Sequence, residues 1–350
     1  MLPLTPNHLL LEPVPTKQVP RVLTIAGSDP AGGAGIQADL KSIGANGGYG
    51  MAVIAALTAQ NTRGVRAVHV PPIEFLVSQL EAISEDITVD AVKIGMLADA
   101  AVIGAVSAWL RKAQPPLVVL DPVMIASSGA RLLDPAAEIA LRGLLHQADL
   151  ITPNLPEMGA LLGKPEPKDW ATAVQMAFDL AAAYDTKVLL KGGHFTDEIV
   201  KDALISVGEA PVVFEARRIE TNNTHGTGCS LSAAIATRQA LVGNWHESLR
   251  GATTWLHGAI RRGSELNVGN GYGPVHHFHQ WQTASVTESW WQEIEPIRAG
   301  ILALPLIKDL RSGELAESDF AYYLAQDALY LKEYSRALAR ASALAPTEGE

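Results

Sequence analysis

The chain has 350 residues, which suggests about two domains and is ample for a large core. Hydrophobic residues make up 48% and charged residues 18%, excluding a disordered chain. The net charge of −10 argues against nucleic acid or an anionic membrane as partner, and the single cysteine, Cys229, excludes an intrachain disulfide and suits a cytoplasmic protein. Residues 1–20 hold five prolines and lack a basic start with a long apolar run, so they read as a flexible arm, not a signal peptide. No apolar run is long enough for a transmembrane helix.

From Arg21 to about Ile260 short β-rich runs alternate with amphipathic segments. The runs are Val22–Ala26, Met51–Leu57, Ala91–Ile94, Leu117–Leu120, Leu150–Ile151 and Lys187–Leu190; the segments include Glu74–Glu85, Ala100–Arg111, Pro135–His146 and Asp169–Tyr184. This alternation predicts an α/β fold, a mostly parallel central sheet with helices on both faces. Asp202–Val207 and Val212–Ile219, separated by Gly208-Glu209-Ala210-Pro211, predict an antiparallel hairpin at the sheet edge. Gly269, Gly271 and Gly273 mark a boundary, and 12 of the 20 aromatic residues fall after residue 240. Beyond the boundary Glu288–Arg298, Ile301–Leu310 and Glu317–Ala341 read as helices without a strand, hence a separate module. Trp290-Trp291 and Tyr322-Tyr323 read as core faces of those helices, and the terminal PTEGE as a frayed end.

Two glycine-rich loops carry the chemistry. Gly27-Ser28-Asp29-Pro30-Ala31-Gly32-Gly33-Ala34-Gly35 follows the first strand and opens a helix. It suits close backbone approach to a ligand. Gly33, Gly35 and Ala38 match a dinucleotide fingerprint, but the acid that should follow about 20 residues on is missing: Thr58-Ala59-Gln60-Asn61-Thr62 stands there. A tight strand-to-helix turn with a capping Asp29 is the other reading. The second loop, Asn222 to Ser230, precedes a small-residue helix, Leu231–Ala240, whose N-terminal N–H groups would form an anion hole. A thiol there should ionise more easily than a free one, making Cys229 either a base beside a phosphate or a small packing residue.

Further polar groups end predicted strands. Asp121 is followed by Pro122-Val123-Met124 and a polar loop with Ser127-Ser128-Gly129. Asn154 and Glu157 could hold Mg²⁺ through waters, or Asn154 could simply cap a helix. Lys191 could meet a nucleotide phosphate or stand solvated. Together, two anion-binding loops, a lysine and several oxygen ligands form the parts list of phosphoryl transfer, without the standard P-loop.

The stretches GSDPAGGAGIQADLKS, TAQNTRGV, VKIGML, LDPVM, ITPNLPE, LKGGH, THGTGCSLSAAIA and GPVHHF closely resemble the hydroxymethylpyrimidine and phosphomethylpyrimidine kinases of thiamine biosynthesis, in the ribokinase superfamily. The resemblance covers about residues 21–280, within a kinase domain set at 21–283. It implies a ribokinase-like fold, commonly dimeric, and ATP- and Mg²⁺-dependent phosphorylation of 4-amino-5-hydroxymethyl-2-methylpyrimidine, then of its monophosphate. Gly27, Asp39, Gln60 and Met96 would line the pyrimidine site, where the Gln60 amide complements an aminopyrimidine edge. Asp121, Asn154 and Lys191 would serve the nucleotide, Asp121 and Glu157 the metal, and Gly226, Thr227 and Gly228 the anion hole. Cys229 would be the catalytic base. Many relatives carry a lysine in the loop after LDPVM; here Ile125-Ala126-Ser127-Ser128 stands there. Pyridoxal or pyridoxine kinase, of the same superfamily, is the alternative. Residues 284–350, with Gly313-Glu314-Leu315, Phe320, Asp327 and Tyr330, resemble the start of a TenA-type thiaminase II domain, which is far longer and uses a cysteine that this tail lacks. The tail thus reads as a helical extension, a fragment or part of a longer fusion. His276, His277 and His279 could suggest a metal site but read as packing groups.

Overall fold

A computed structural model describes residues 18–124, 135–281, 290–291 and 293–344. The chain divides into two compact units, Met1–Trp281 and Gln282–Glu350. The proline-rich arm through residue 17, the Ile125–Ser128 departure and the terminal PTEGE lie outside the described residues.

The first unit is built on nine strands: β1 (Arg21–Ser28), β2 (Tyr49–Asn61), β3 (Gly64–His69), β4 (Ala91–Ile94), β5 (Val118–Leu120), β6 (Leu150–Ile151), β7 (Lys187–Lys191), β8 (Ile199–Ile205) and β9 (Val212–Arg217). The sheet order is β3-β2-β1-β4-β5-β6-β7-β8-β9. The six strands from β2 to β7 in that order pair in parallel; β3, β8 and β9 pair antiparallel. The α/β expectation and the edge hairpin both hold. β3 was not legible: most of its residues are exposed, and no apolar run marks it.

Among the described residues eight helices cover the sheet: α1 (Gly35–Ala45), α2 (Ile73–Asp86), α3 (Ala100–Ala113), α4 (Glu138–Leu145), α5 (Leu155–Leu162), α6 (Trp170–Tyr184), α7 (Thr227–Val242) and α8 (Trp245–Arg261). Alternate strand residues feed two cores. Leu23, Ile25, Val92, Ile94, Val118 and Leu120 join one with α2 to α6. Val22, Ala91, Val119, Leu150 and Leu189 join the other with α7 and Trp255 of α8. Two-sided burial is why these strands read as continuous apolar runs. Each fully buried leucine or isoleucine contributes roughly 1.5–3 kcal/mol. α7 is made of small residues, with Ser230 through Thr237 all buried, so it seats close against the sheet.

The chain moves outward from β1 in opposite directions, to β2 on one side and β4 on the other. The carboxyl ends of β1 and β4 therefore flank a topological switch point, where open α/β sheets place ligands. Thr24 of β1 and Lys93 of β4 are register partners just inside it.

In the second unit α9 (Glu295–Leu302), α10 (Pro305–Ser312) and α11 (Glu317–Leu344) follow in turn. The predicted Ile301–Leu310 helix is interrupted, because Pro305 starts a new helix at its first position. Trp290, Trp291, Tyr322 and Tyr323 are 62%, 60%, 68% and 41% exposed, so the expectation that they form core faces is corrected. No described residue of this unit is buried; three consecutive helices, two of them eight residues long, enclose no interior.

Candidate active site

β1 delivers the chain into the first glycine loop at the switch point. Asp29, almost fully buried, organises this loop. Its Oδ1 accepts from Ala31 N at 2.9 Å; its Oδ2 accepts from Gly33 N at 3.1 Å and Ala34 N at 2.9 Å. His225 Nε2 lies 2.9 Å from the same Oδ2. Against the penalty of burial, the His225 contact and the loop N–H groups hold the Asp29 carboxyl below the usual carboxylate range. The first loop is therefore not an open anion site, as its sequence suggested. It is folded around its own anion.

The second loop presses on the first. Gly226 has φ +76°, and a Cβ there would overlap Gly33 O, so only glycine fits. It precedes α7 without a side-chain cap. Ser230 N donates back to Gly226 O and Thr227 N to Thr224 O, whereas the Gly228 and Cys229 N–H groups find no acceptor among the described residues. They sit at the positive end of a 16-residue helix whose middle is buried.

Asp121 follows β5, and its Oδ1 accepts from Thr152 Oγ1 at 2.8 Å and Lys191 Nζ at 3.0 Å. A Cβ on Gly228 would lie 3.2 Å from Asp121 Oδ2 and 3.5 Å from Lys191 Nζ. The helix terminus, the carboxylate and the lysine thus converge. Glu157 is pushed up to about 7 by burial, with Lys191 pulling it down and Asp121 adding to the rise. Asn154 and Glu157 also form a capping box at the start of α5: Asn154 Oδ1 accepts from Glu157 N, and Glu157 Oε2 accepts from Asn154 N, both at 2.9 Å. The capping reading of Asn154 is thus realised.

Asp39 requires a correction. It has no exposed surface, so it does not line a ligand pocket here. Its carboxylate accepts from Lys93 Nζ at 2.8 and 2.9 Å and from Thr24 Oγ1 at 2.6 Å. It belongs to a buried ion pair under the site. For Lys93 burial favours the neutral amine, but attraction to Asp39, then Cys229 and Asp121, outweighs it and keeps the ammonium charged. A lysine inside the four-residue strand Ala-Val-Lys-Ile was the available signal, and it was missed.

Cys229 is corrected as well. Burial pushes its thiol up to about 11, with Asp39 and Asp121 adding to the rise. Lys93 and a hydrogen bond with the Gly35 backbone pull the other way without winning. The helix terminus suggested easier ionisation; burial, with the two carboxylates adding to it, reverses this.

Gly27 and Met96 are neighbours, since a Cβ on Gly27 would lie 3.0 Å from Met96 Sδ. Met96, Ala56 and Ala98 form a small apolar cluster with Val70 and Val123. Gln60 is half-buried. Its Oε1 lies 3.2 Å from Thr58 Oγ1 and its Nε2 lies 3.2 Å from His225 Nε2. The strand register shifts at Ala26/Gly27 and at Ala59/Gln60, irregularities of the kind that re-aim side chains beside a site. Asp29 and His225 were quoted within their loops, but their pairing is invisible at a separation of 196 residues.

The buried histidines make packing contacts. His277 hydrogen-bonds Ser230 Oγ at 2.9 Å, His277 and His279 both lie beside the Trp255 ring, and burial pushes His277 down to about 3. A groove of about 360 Å³ lined by Pro20, Asp90, Leu117 and Gln239 lies near the amino ends of the strands and shares none of the groups above.

Residues 29–276 match the family model described as phosphomethylpyrimidine kinase, and residues 291–348 match the TENA/THI-4/PQQC family. The thiamine biosynthesis multifunctional protein ThiED of Corynebacterium glutamicum is 42% identical over 95% of this chain and 49% of its own length. The hydroxymethylpyrimidine/phosphomethylpyrimidine kinase of Escherichia coli is 48% identical over 74% of this chain and 97% of its own. This chain spans about half the length of the two Corynebacterium relatives that it matches almost throughout. Among solved structures, a phosphomethylpyrimidine kinase from Clostridium difficile superposes with a TM-score of 0.61 at 38% identity, over 69% of this chain and 99% of its own. An ADP complex of Bacillus subtilis pyridoxal kinase gives 0.69 at 32%, over 76% and 100%. The chain belongs to the phosphomethylpyrimidine kinase family, and its first unit has the fold of these kinases.

Proposed function

We propose that the chain transfers the γ-phosphoryl group of ATP to the hydroxymethyl group of 4-amino-5-hydroxymethyl-2-methylpyrimidine, and then phosphorylates the monophosphate to the diphosphate. The observation that carries this reading is the convergence of the free Gly228 and Cys229 N–H groups with Lys191 and Asp121. These N–H groups and Lys191 stabilise charge on a transferring phosphoryl group. Gly226, Thr227 and Gly228 shape the anion hole. Gly27, Gln60 and Met96 hold the ring, and Asp39 acts from below by fixing Lys93. Asn154 shapes the nucleotide side through its cap on α5.

Asp121 and Glu157 fit a magnesium ion. Both are buried, and Asp121 disfavours the charge of Glu157. A cation that keeps much of its water shell and shares phosphate oxygens needs only one or two carboxylates. When bound, Mg²⁺ neutralises phosphate charge; Asp121 and Glu157 hold it.

Cys229 accepts the hydroxymethyl proton. A thiol near 11 is ionised in about one molecule in ten thousand at pH 7, so substrate binding must favour the thiolate. The charged Lys93 beneath it supplies part of that pull.

Domain limits at 1–20, 21–283 and 284–350 accord with this reading, as do a cytoplasmic location and a homodimer. No helix among the described residues is long and apolar enough to cross a membrane. The test is conversion of the pyrimidine alcohol to mono- and diphosphate by purified protein with ATP and Mg²⁺. Absence of turnover in folded protein overturns the proposal. The superposition on Bacillus subtilis pyridoxal kinase favours a second reading, pyridoxal kinase, and comparing kcat/KM for the two alcohols decides between them.

A further inference from the structure

The Gln60 amide stands between two groups whose protons can be counted. Asp29 accepts three backbone N–H bonds, as only a carboxylate does, so it acts purely as an acceptor. His225 Nε2, 2.9 Å from Asp29 Oδ2, therefore carries a proton. A protonated ring nitrogen cannot accept from an amide NH₂. Placed with its Nε2 3.2 Å from the ring nitrogen, the amide would set donor against donor; turned over, its Oε1 shares the one N–H that His225 directs to Asp29. The other end gives the same answer independently. Thr58 Oγ1 donates its single proton to Ser28 O at 2.8 Å, so towards Gln60 it can only accept. The same turn-over gives Thr58 the amide nitrogen in place of the Oε1 that stands 3.2 Å from it. Both contacts demand one orientation. What remains is one lone pair on Gln60 Oε1 and one N–H on Gln60 Nε2, side by side on a half-buried side chain at a strand irregularity.

The geometry points to His225 as a positioning residue: held by Asp29, it fixes which way round Gln60 presents its donor and acceptor, and so selects an alcohol whose ring carries an acceptor nitrogen beside an amino group. This deepens the proposed function and rests on Gln60 facing the substrate. Without the His225 N–H only the Thr58 contact holds this order, and each turn-over of the amide presents the reversed one, leaving polar groups of the ligand unpaired.

The test is a cycle of His225→Leu and Gln60→Ala, with His225→Gln as the conservative variant, because a glutamine amide can place an N–H near the position of Nε2. Expected for His225→Leu is a loss of about 10-fold or more in kcat/KM for the aminopyrimidine alcohol, carried mainly by its KM, while the KM for ATP moves by less than about 3-fold. His225→Gln should recover most of the loss, and His225→Leu should add little in the Gln60→Ala background. Losses that multiply in the double variant, or a matching rise in the ATP KM, overturn the positioning role. If Gln60→Ala leaves the aminopyrimidine kcat/KM unchanged, the substrate-site reading itself fails and takes the inference with it. Should His225→Leu fail to fold, ¹⁵N-histidine spectra of the unaltered protein decide: protonated Nε2 supports the assignment, and a bare Nε2 overturns it.

Discussion

The two glycine-rich loops look alike in sequence and dispose of their N–H groups in opposite ways. In the first, the N–H groups of Ala31, Gly33 and Ala34 all point to the carboxylate of Asp29. In the second, Gly228 and Cys229 leave theirs without an acceptor among the described residues. Glycine content marks where backbone can bend and approach; it does not say whether the anion is internal or arrives from outside. One loop is folded on its own anion, the other is the receptor in the proposed function, and His225 joins them.

The comparison can be broken experimentally. The largest effect should come from below both loops. Lys93→Met leaves Asp39 buried without its cation and should cost about 3–5 kcal/mol of stability, measured by denaturant unfolding. A loss under about 1 kcal/mol would show that the pair does not anchor the switch point. In the receptor loop, Cys229→Ala should lower kcat by about 100-fold or more with an unchanged melting temperature. Because the thiolate is the active form and the thiol is held near 11, the rate of the unaltered protein should climb as pH rises through the alkaline range, and the climb should vanish in Cys229→Ala. A flat profile in the unaltered protein removes Cys229 from the base role.

In the first loop, Asp29→Asn keeps the shape but removes one oxygen acceptor and the charge. It should destabilise by about 1–3 kcal/mol, read as a lowered melting temperature. An effect on turnover with none on stability would make the first loop a receptor too. Glu157 gives a pH signature of stability. Its folded value, about 7, lies above the ordinary 4.5, so the folded state binds the extra proton. Stability should therefore fall as pH rises from about 4.5 to about 7, and Glu157→Gln should flatten that fall. The smallest effect belongs to the tail. Trp290→Ser, at an exposed position, should change stability by no more than about 0.5 kcal/mol.

Much of the architecture was legible because strands buried on both faces leave unbroken apolar runs, as Val22–Ala26 and Ala91–Ile94 do. β3 was hidden because it faces water. Asp121 and Lys191 at strand ends, and Gly228 at a helix start, were anticipated from position alone. The protonation of Cys229 was not, because its neighbours Lys93, Asp39 and Asp121 come from other elements. Asp39 shows the same limit from the other side: a motif position says that a carboxylate matters, not whether it faces a ligand or a lysine.

The internal carboxylate of the first loop also bears on the thermodynamics of recognition. A loop ordered around Asp29 has already lost its conformational freedom before any ligand is met, so docking against it incurs little further entropic penalty. Ligand contacts on that side should register calorimetrically as enthalpy without a large opposing ordering cost.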